Sequence, residues 1–131
     1  MRIGFIGLGT MGGAASLNLI LGGHQLTVCD LDLKRAAKHL ELGAKWADTP
    51  SEAAKDVDIV FTMVFGPKQI EQIIRGENGL LHSMRPGQVW VDLTTNQPEL
   101  ARMLAQELSL IHISEPTRLL SISYAVFCVK K

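Results

Sequence analysis

The feature that most constrains the fold of this chain is a glycine-rich turn close to its N-terminus. The apolar stretch from Ile3 to Ile6 leads directly into Gly7, Gly9 and Gly12, which have the spacing Gly-x-Gly-x-x-Gly, and a helical pattern follows at once. Glycine is needed where the backbone turns sharply between a buried strand and a helix, or where another group approaches it closely. The opening of the chain therefore predicts a strand, a tight turn and a helix in succession.

The three glycines have separate expected roles in such a turn. Gly7 permits the turn itself, Gly9 lets the backbone come close to a pyrophosphate, and Gly12 lets the helix pack against its strand. The first amides of the helix are then expected to hold phosphate oxygens. Asp30 ends the next apolar stretch, 18 positions after Gly12, where a carboxylate accepts hydrogen bonds from an adenosine ribose. Together these features predict a dinucleotide-binding site.

Short apolar stretches alternate with helical patterns along the rest of the chain. Strands are expected at residues 3–6, 25–30, 44–47, 58–64 and 88–93, and helices at 10–21, 33–42, 67–74 and 97–107, with a further helix starting at residues 49–50. This alternation predicts an α/β fold with a doubly wound parallel sheet of the Rossmann type. Right-handed crossovers favour the strand order 3-2-1-4-5.

Composition excludes several classes of protein. The chain has 131 residues, 47% of them hydrophobic, and a formal net charge of zero, which argues against a nucleic-acid partner and against disorder. We expect a single domain, no membrane partner and a cytoplasmic location, because neither a secretory signal nor a membrane span is evident. Cys29 and Cys128 lack the spacing of metal or redox motifs, so no metal site is predicted.

Further candidate site residues lie at the carboxyl ends of the fourth and fifth strands, where open α/β sheets bind ligands. The backbone of Val64 and Phe65 is expected to border the adenosine half of a dinucleotide. Thr95 and Asn96 either cap the helix that follows them or face the nicotinamide end, and their chemistry favours neither alternative. The predicted cofactor-binding set is Gly7, Leu8, Gly9, Thr10, Met11, Gly12, Asp30, Val64, Phe65, Thr95 and Asn96.

Charge at the ribose position predicts which coenzyme is preferred. The Asp30 carboxylate repels a 2′-phosphate, so NAD is expected, with NADP as the alternative. Lys34 and Arg35 are a competing signal, since they could receive that phosphate, but such a pair more often forms the solvated face of a helix. The histidines carry no predicted catalytic role: His24 is expected to cap a helix or lie at the surface, and His39 and His82 are expected on solvent faces.

The character of the sequence changes at residue 108. The stretch from Leu108 to Arg118 matches the translation of a transposase-type sequencing adaptor, and the stretch from Ile122 to Cys128 matches the primer that follows it in the same frame, with Val129 as the one mismatch. We therefore expect residues 1–107 to be a native dinucleotide-binding domain, as a fragment, and residues 108–131 to be a non-native tail. The sheet is then expected to be incomplete on its C-terminal side, with an uncovered edge beside the fifth strand.

Residues 1–107 resemble the β-hydroxyacid dehydrogenase family, which includes 3-hydroxyisobutyrate dehydrogenase and tartronate semialdehyde reductase. The similar segments are residues 5–12, 18–19, 23–24, 61–64, 76–80, 85–87 and 91–98. The resemblance implies a homo-oligomeric parent enzyme that moves a hydride between NAD(P) and a short 3-hydroxy acid. It also implies a Ser-Gly-Gly substrate motif and a catalytic lysine on a later helix. Neither matches a segment of this chain, so no catalytic residue is predicted and the fragment is expected to be inactive.

The sequence departs from the family pattern at two places, and it leaves other functions open. Ala15 stands where methionine is usual, and Leu93-Thr94 stands where Met-Ser is commoner, which keeps a hydroxyl but alters the substrate edge. A non-catalytic dinucleotide-binding or regulatory module, and a transferase that uses a methyl donor, share the glycine turn and the acidic residue. Imine-reducing and glyoxylate-reducing relatives also remain open.

Overall fold

The structure is a computed structural model, and it describes residues 1–93, 98–110, 119–122 and 125–129. The strands are β1 (Arg2–Ile6), β2 (Gln25–Cys29), β3 (Lys45–Trp46), β4 (Ile59–Thr62), β5 (Val89–Asp92), β6 (Leu119–Ile122) and β7 (Ala125–Val129). The helices are α1 (Thr10–Leu21), α2 (Ala37–Glu41), α3 (Pro50–Ala53), α4 (Pro67–Arg75) and α5 (Pro98–Leu110). No helix in the part of the chain that the structure describes is long and apolar enough to cross a membrane.

Among the described residues, seven strands form one sheet in the order β3-β2-β1-β4-β5-β7-β6. The first five strands are parallel, which confirms the predicted fold class and strand order. β1 lies between β2 and β4, and its residues Ile3 to Ile6 are buried. A short apolar strand of this kind is typical of a parallel sheet that is covered on both faces.

Two apolar clusters cover the two faces of the sheet. One face carries Ile3 and Phe5 of β1, and the ring of Phe5 stacks on that of Phe61 with centroids 5.7 Å apart. The other face carries Ile6, which belongs to a cluster containing helical and strand residues, including Ile70, Ile74, Leu80, Trp90 and Leu104. Helices therefore pack on both sides of the sheet, as a doubly wound fold requires.

Several elements end earlier than the sequence predicts, and one predicted helix is divided. Residues 33–36 form a tight 3-10 turn before α2, and the Asp32 carboxylate caps this turn by accepting from the Lys34 amide at 3.0 Å. β4 ends at Thr62 rather than at Val64. The predicted helix start near residue 50 is confirmed, since the Thr49 hydroxyl accepts from the Glu52 amide and a proline follows it.

The region after residue 107 forms regular structure that was not expected. α5 extends to Leu110, and Leu108 is buried in the core. β7 pairs antiparallel with β5, with Asp92 opposite Val126, and β6 pairs with β7. In the 131-residue chain this edge of β5 is therefore paired with β7, and the expectation of an uncovered edge stays a prediction for residues 1–107 alone. Residues 119–122 and 125–129 are rich in apolar and β-branched types, which favour strands whatever their origin.

Candidate coenzyme site

The glycine turn lies between β1 and α1, where the sequence predicts it. Gly7 has a φ of 104°, a left-handed conformation that a residue with a side chain rarely adopts. The Gly7 amide donates to the Cys29 carbonyl at 2.9 Å, which ties the turn to the end of β2. This turn therefore has the backbone geometry that its first glycine was expected to provide.

Close backbone contacts surround the turn on its inner side. A Cβ on Gly7 would lie 2.0 Å from the Met63 carbonyl oxygen, and a Cβ on Gly12 would lie 2.2 Å from the Gly7 carbonyl oxygen. Contacts below 3.0 Å cannot form without movement of the backbone, so both positions require glycine. Gly12 thus allows α1 to pack directly on the turn.

The outer side of the turn is open. A Cβ on Gly9 would meet no atom within 4 Å, so Gly9 leaves space next to the N-terminus of α1. No side chain in the described part of the chain caps this helix at Gly9. The predicted residues Thr10 and Met11 are exposed on the first turn of α1. Helix N-terminal amides next to open space fit the oxygens of a pyrophosphate group.

Asp30 directly contacts the glycine turn. Its carboxylate accepts from the Leu8 amide at 2.7 Å through Oδ2 and from the Asp32 amide at 3.0 Å through Oδ1. The side chain is 7% exposed. A carboxylate has about four acceptor positions, so a ribose hydroxyl can still donate to it. The Leu8 amide is already bonded within the protein, and the Leu8 side chain is buried.

Arg35 lies close enough to Asp30 to modify its charge. The Arg35 Nη1 atom is 3.7 Å from Asp30 Oδ1, and the Arg35 side chain is 45% exposed. Lys34 is also exposed. Arg35 therefore lies beside the predicted ribose position and is more than part of a solvated helix face. An exposed pair at this distance has little energetic weight, so the carboxylate remains the dominant charge.

Two further predicted residues, Val64 and Phe65, follow the end of β4 at Thr62. A Cβ on Gly7 would lie 3.1 Å from Cγ1 of Val64, so Val64 borders the turn. Phe65 is exposed, and its ring is available to stack against a flat group such as an adenine. Thr95 and Asn96 lie outside the described residues. The structure thus brings the glycine turn, Asp30 and Val64 together.

Two buried polar clusters near the turn were not predicted. The first contains His39, which is 2% exposed, so its predicted placement on a solvent face is wrong. His39 Nε2 lies 2.7 Å from Ser16 Oγ, which lies 2.7 Å from the Gly12 carbonyl oxygen. Burial lowers the pKa of His39. His82 is exposed, as predicted.

The second unpredicted cluster joins the ends of β4 and β5. Trp90 Nε1 donates to Thr62 Oγ1, and Thr62 Oγ1 donates to Asp92 Oδ1, both at 3.0 Å. All three residues are buried, and Asp92 is 2% exposed. The two clusters depend on which residues of different elements face each other, so a single sequence carries only a weak signal for them.

Other features do not compete with this site. A cavity of about 890 Å³ lies at the amino edge of the sheet, where Arg2, His24 and Trp46 are among the lining residues. His24 is only half-buried there. Burial, with a smaller effect from Asp30, raises the pKa of the Cys29 thiol to about 12, so this cysteine stays protonated. Among the described residues, no cluster of His, Cys, Asp and Glu has the composition of a metal site.

These observations define a class of protein. A doubly wound parallel sheet with a glycine turn, an uncapped helix and a carboxylate after β2 is a dinucleotide-binding domain of the Rossmann type. Residues 2–114 match the family described as the NAD binding domain of 6-phosphogluconate dehydrogenase. The chain belongs to this family of NAD-binding domains, and the match extends past residue 107.

The relatives confirm the resemblance seen in the sequence. The chain is 41% identical over 103 residues to a Dictyostelium discoideum protein named as a probable mitochondrial 3-hydroxyisobutyrate dehydrogenase, covering 79% of this chain and 32% of that protein. It is 38% identical over 106 residues to an Arabidopsis thaliana protein named probable 3-hydroxyisobutyrate dehydrogenase-like 3, mitochondrial, covering 81% of this chain and 33% of that protein.

A solved imine reductase has the same fold. The enzyme from Myxococcus stipitatus, in complex with NADP⁺, superposes with a TM-score of 0.71 and 29% identity, covering 79% of this chain and 35% of that chain. The present chain therefore spans about a third of the length of these relatives.

Proposed function

We propose that this chain is the coenzyme-binding part of an NAD-dependent dehydrogenase that acts on a short 3-hydroxy acid or its semialdehyde. The observation that carries the proposal is the contact between the Asp30 carboxylate and the Leu8 amide, 2.7 Å long, beside the open face at Gly9. A bound nicotinamide coenzyme would carry the hydride. The α1 amides would hold its pyrophosphate, and Asp30 would accept from its adenosine ribose.

Calorimetric titration of the 131-residue chain with NADH, NADPH and S-adenosylmethionine tests this proposal. We expect NADH to bind more tightly than NADPH, because the Asp30 carboxylate repels a 2′-phosphate. S-adenosylmethionine is expected not to bind. Binding of the methyl donor without binding of either reduced coenzyme would overturn the proposal.

The substrate assignment depends on the part of the relatives that this chain does not cover. Two relatives are named as 3-hydroxyisobutyrate dehydrogenases, which supports a small-molecule hydroxy acid as the substrate of the parent. We further propose that the parent is a homo-oligomer. We expect the chain by itself to bind coenzyme without turning over 3-hydroxyisobutyrate. Oxidation of 3-hydroxyisobutyrate by the purified chain, followed as NADH absorbance, would contradict this expectation. A non-catalytic binding module is the alternative, and a parent enzyme without activity on hydroxy acids would favour it.

We also propose that residues 108–131 have a different origin from residues 1–107. The support is the match of this segment to an adaptor and its primer in one reading frame. Because Leu108 is fully buried against the core, we expect the native residue at this position to be apolar as well. Sequencing of the genomic locus across codon 107 tests the proposal, and an unchanged reading through Lys131 would overturn it.

A cytoplasmic location and the absence of nucleic-acid partners are further parts of the proposal. The formal net charge of zero supports the absence of a nucleic-acid partner, because it provides no excess of basic residues for phosphate groups. The two curated relatives described above are named as mitochondrial, so cell fractionation against a mitochondrial marker separates the two locations. Recovery of the parent protein with that marker would overturn the cytoplasmic assignment.

A further inference from the structure

The hydrogen bonds among Trp90, Thr62 and Asp92 run in one direction. An indole N–H can only donate, and a threonine hydroxyl has a single proton to donate. Since Thr62 Oγ1 accepts from Trp90 Nε1, its proton is free to go to Asp92 Oδ1, and both distances are 3.0 Å. The register of the sheet places Thr62 directly opposite Asp92. Thr62 is thus the central member of this polar chain.

The residue that follows Thr62 forms the inner wall of the glycine turn. The Met63 amide donates to the Ile6 carbonyl at 2.9 Å, and the Met63 carbonyl oxygen is the atom that a Cβ on Gly7 would approach to 2.0 Å. The same oxygen would lie 3.5 Å from a Cβ on Gly12. The backbone at the end of β4 therefore packs directly against the glycine turn.

Backbone and side-chain bonds together hold the end of β4. The Leu93 amide donates to the Thr62 carbonyl at 2.8 Å, so the backbone is tied to β5 at this point. The side-chain hydroxyl adds a second tie in a buried region, where hydrogen bonds are stronger than in water and unmade ones are costly. Loss of the hydroxyl would remove one partner from both the Trp90 indole and the Asp92 carboxylate.

We propose that Thr62 and Asp92 are positioning residues for the coenzyme, which fix the end of β4 and so hold Met63 against the phosphate-binding turn. The inference rests on the proposed binding of NAD by this chain. It predicts that the Thr62 hydroxyl contributes to coenzyme affinity through the turn, although the hydroxyl is fully buried.

The test compares three variants of the 131-residue chain. Thr62→Val removes the hydroxyl at nearly constant volume, Thr62→Ser retains it, and Thr27→Val makes the same change at a partly buried position of β2. Each variant is titrated with NADH and with ADP-ribose, which has the pyrophosphate but no nicotinamide. We expect Thr62→Val to weaken the binding of both ligands by about tenfold, which corresponds to the free energy of about one of the two hydrogen bonds that the hydroxyl makes. Thr62→Ser and Thr27→Val are expected to bind like the wild type.

The outcomes separate this inference from the proposed function. A wild-type chain that binds neither ligand would contradict the proposed function. A wild-type chain that binds, with Thr62→Val binding equally well, would overturn the positioning role alone. Weaker binding of NADH with unchanged binding of ADP-ribose would also overturn it, because the effect would then lie at the nicotinamide. If Thr62→Val does not fold, Thr62→Ser and Thr62→Ala provide the same comparison, because the first variant retains the hydroxyl and the second lacks it.

Fluorescence provides a readout of the hydrogen bond itself. Trp46→Phe leaves Trp90 as the single tryptophan of the chain. In that background, Thr62→Val is expected to shift the Trp90 emission to shorter wavelength, because the indole loses its acceptor, and Thr62→Ser is expected to restore it. An unchanged emission in Thr62→Val would show that the indole does not depend on Thr62, which would overturn the inference.

Discussion

Asp30 is the residue whose substitution tests coenzyme preference most directly. Its carboxylate is bonded to the turn and faces the predicted ribose position. Asp30→Ala is expected to weaken NADH binding by about 10- to 100-fold, the range for loss of a hydrogen bond to a charged group. NADPH binding is expected to weaken less, because the repulsion of a 2′-phosphate also disappears.

Calorimetric titration measures both affinities, and Asp48→Ala is the matched control because Asp48 is an exposed aspartate whose carboxylate accepts from Trp46 instead. An Asp30→Ala variant with the NADH affinity of the wild type would contradict the role of this carboxylate.

His39 gives a prediction for the dependence of stability on pH. Burial holds its pKa in the folded state below the ordinary value of 6.5. Above pH 6.5 both states are neutral, and stability does not change through this residue. As the pH falls below 6.5, the unfolded state takes up the proton first, so the free energy of unfolding decreases.

The variant His39→Gln cannot take up that proton, and we expect it to lose less stability than the wild type between pH 7.5 and about pH 5. Melting temperatures across this range measure the difference. His82→Gln is the exposed control and is expected to follow the wild type. Equal losses in His39→Gln and the wild type would show that His39 makes no such contribution.

At the scale of an element, substitutions of Gly9 and Gly12 are expected to affect different properties of the same turn, namely coenzyme binding and stability. A Cβ on Gly9 meets no atom within 4 Å, and its φ of −66° suits alanine. Gly9→Ala is therefore expected to fold with nearly the melting temperature of the wild type, but to lose NADH binding because the methyl group occupies the space for the pyrophosphate. Gly12→Ala places a Cβ 2.2 Å from the Gly7 carbonyl oxygen and is expected to cost about 1–3 kcal/mol of stability as well.

Thermal melting and NADH titration of both variants check this pair of expectations. A Gly9→Ala variant that binds NADH normally would place the pyrophosphate elsewhere. A Gly12→Ala variant as stable as the wild type would show that the turn can move to accept a side chain.

Local sequence patterns predict the elements of this fold and their order, but not the contacts that depend on how two elements face each other. The strand order and the glycine turn follow from local patterns, and the structure confirms them. His39 was misplaced because residues 33–36 form a 3-10 turn, which has about 3.0 residues per turn against 3.6 in an α-helix. Four such residues rotate the following helix face by roughly 80°, enough to bring an outward position inward. The Thr62–Asp92 bond depends on the register between two strands, which no local pattern specifies.

For the molecule as a whole, the C-terminal strands determine how β5 is exposed. β7 pairs with β5 along four residues, from Val89 to Asp92. Removal of residues 111–131 retains the residues of α5 and the pairing of β5 with β4, but it leaves the backbone groups on the β7 side of β5 unpaired. Unpaired edges favour association between chains. We expect the shortened chain to form larger species in light scattering at concentrations where the full chain does not. A monomeric shortened chain would show that this edge is tolerated.

The hydrogen bond between the Gly7 amide and the Cys29 carbonyl makes the Cys29 thiol a chemical probe for opening of the turn. The Cys29 thiol is buried and has a pKa of about 12, so an alkylating reagent reaches it only after the end of β2 separates from its neighbours. The rate at which Cys29 is alkylated would measure how often this opening occurs, and peptide mass distinguishes its modification from that of Cys128. A ligand bound to the turn would lower the rate of alkylation in proportion to its occupancy, so its binding could be followed without a label on the ligand.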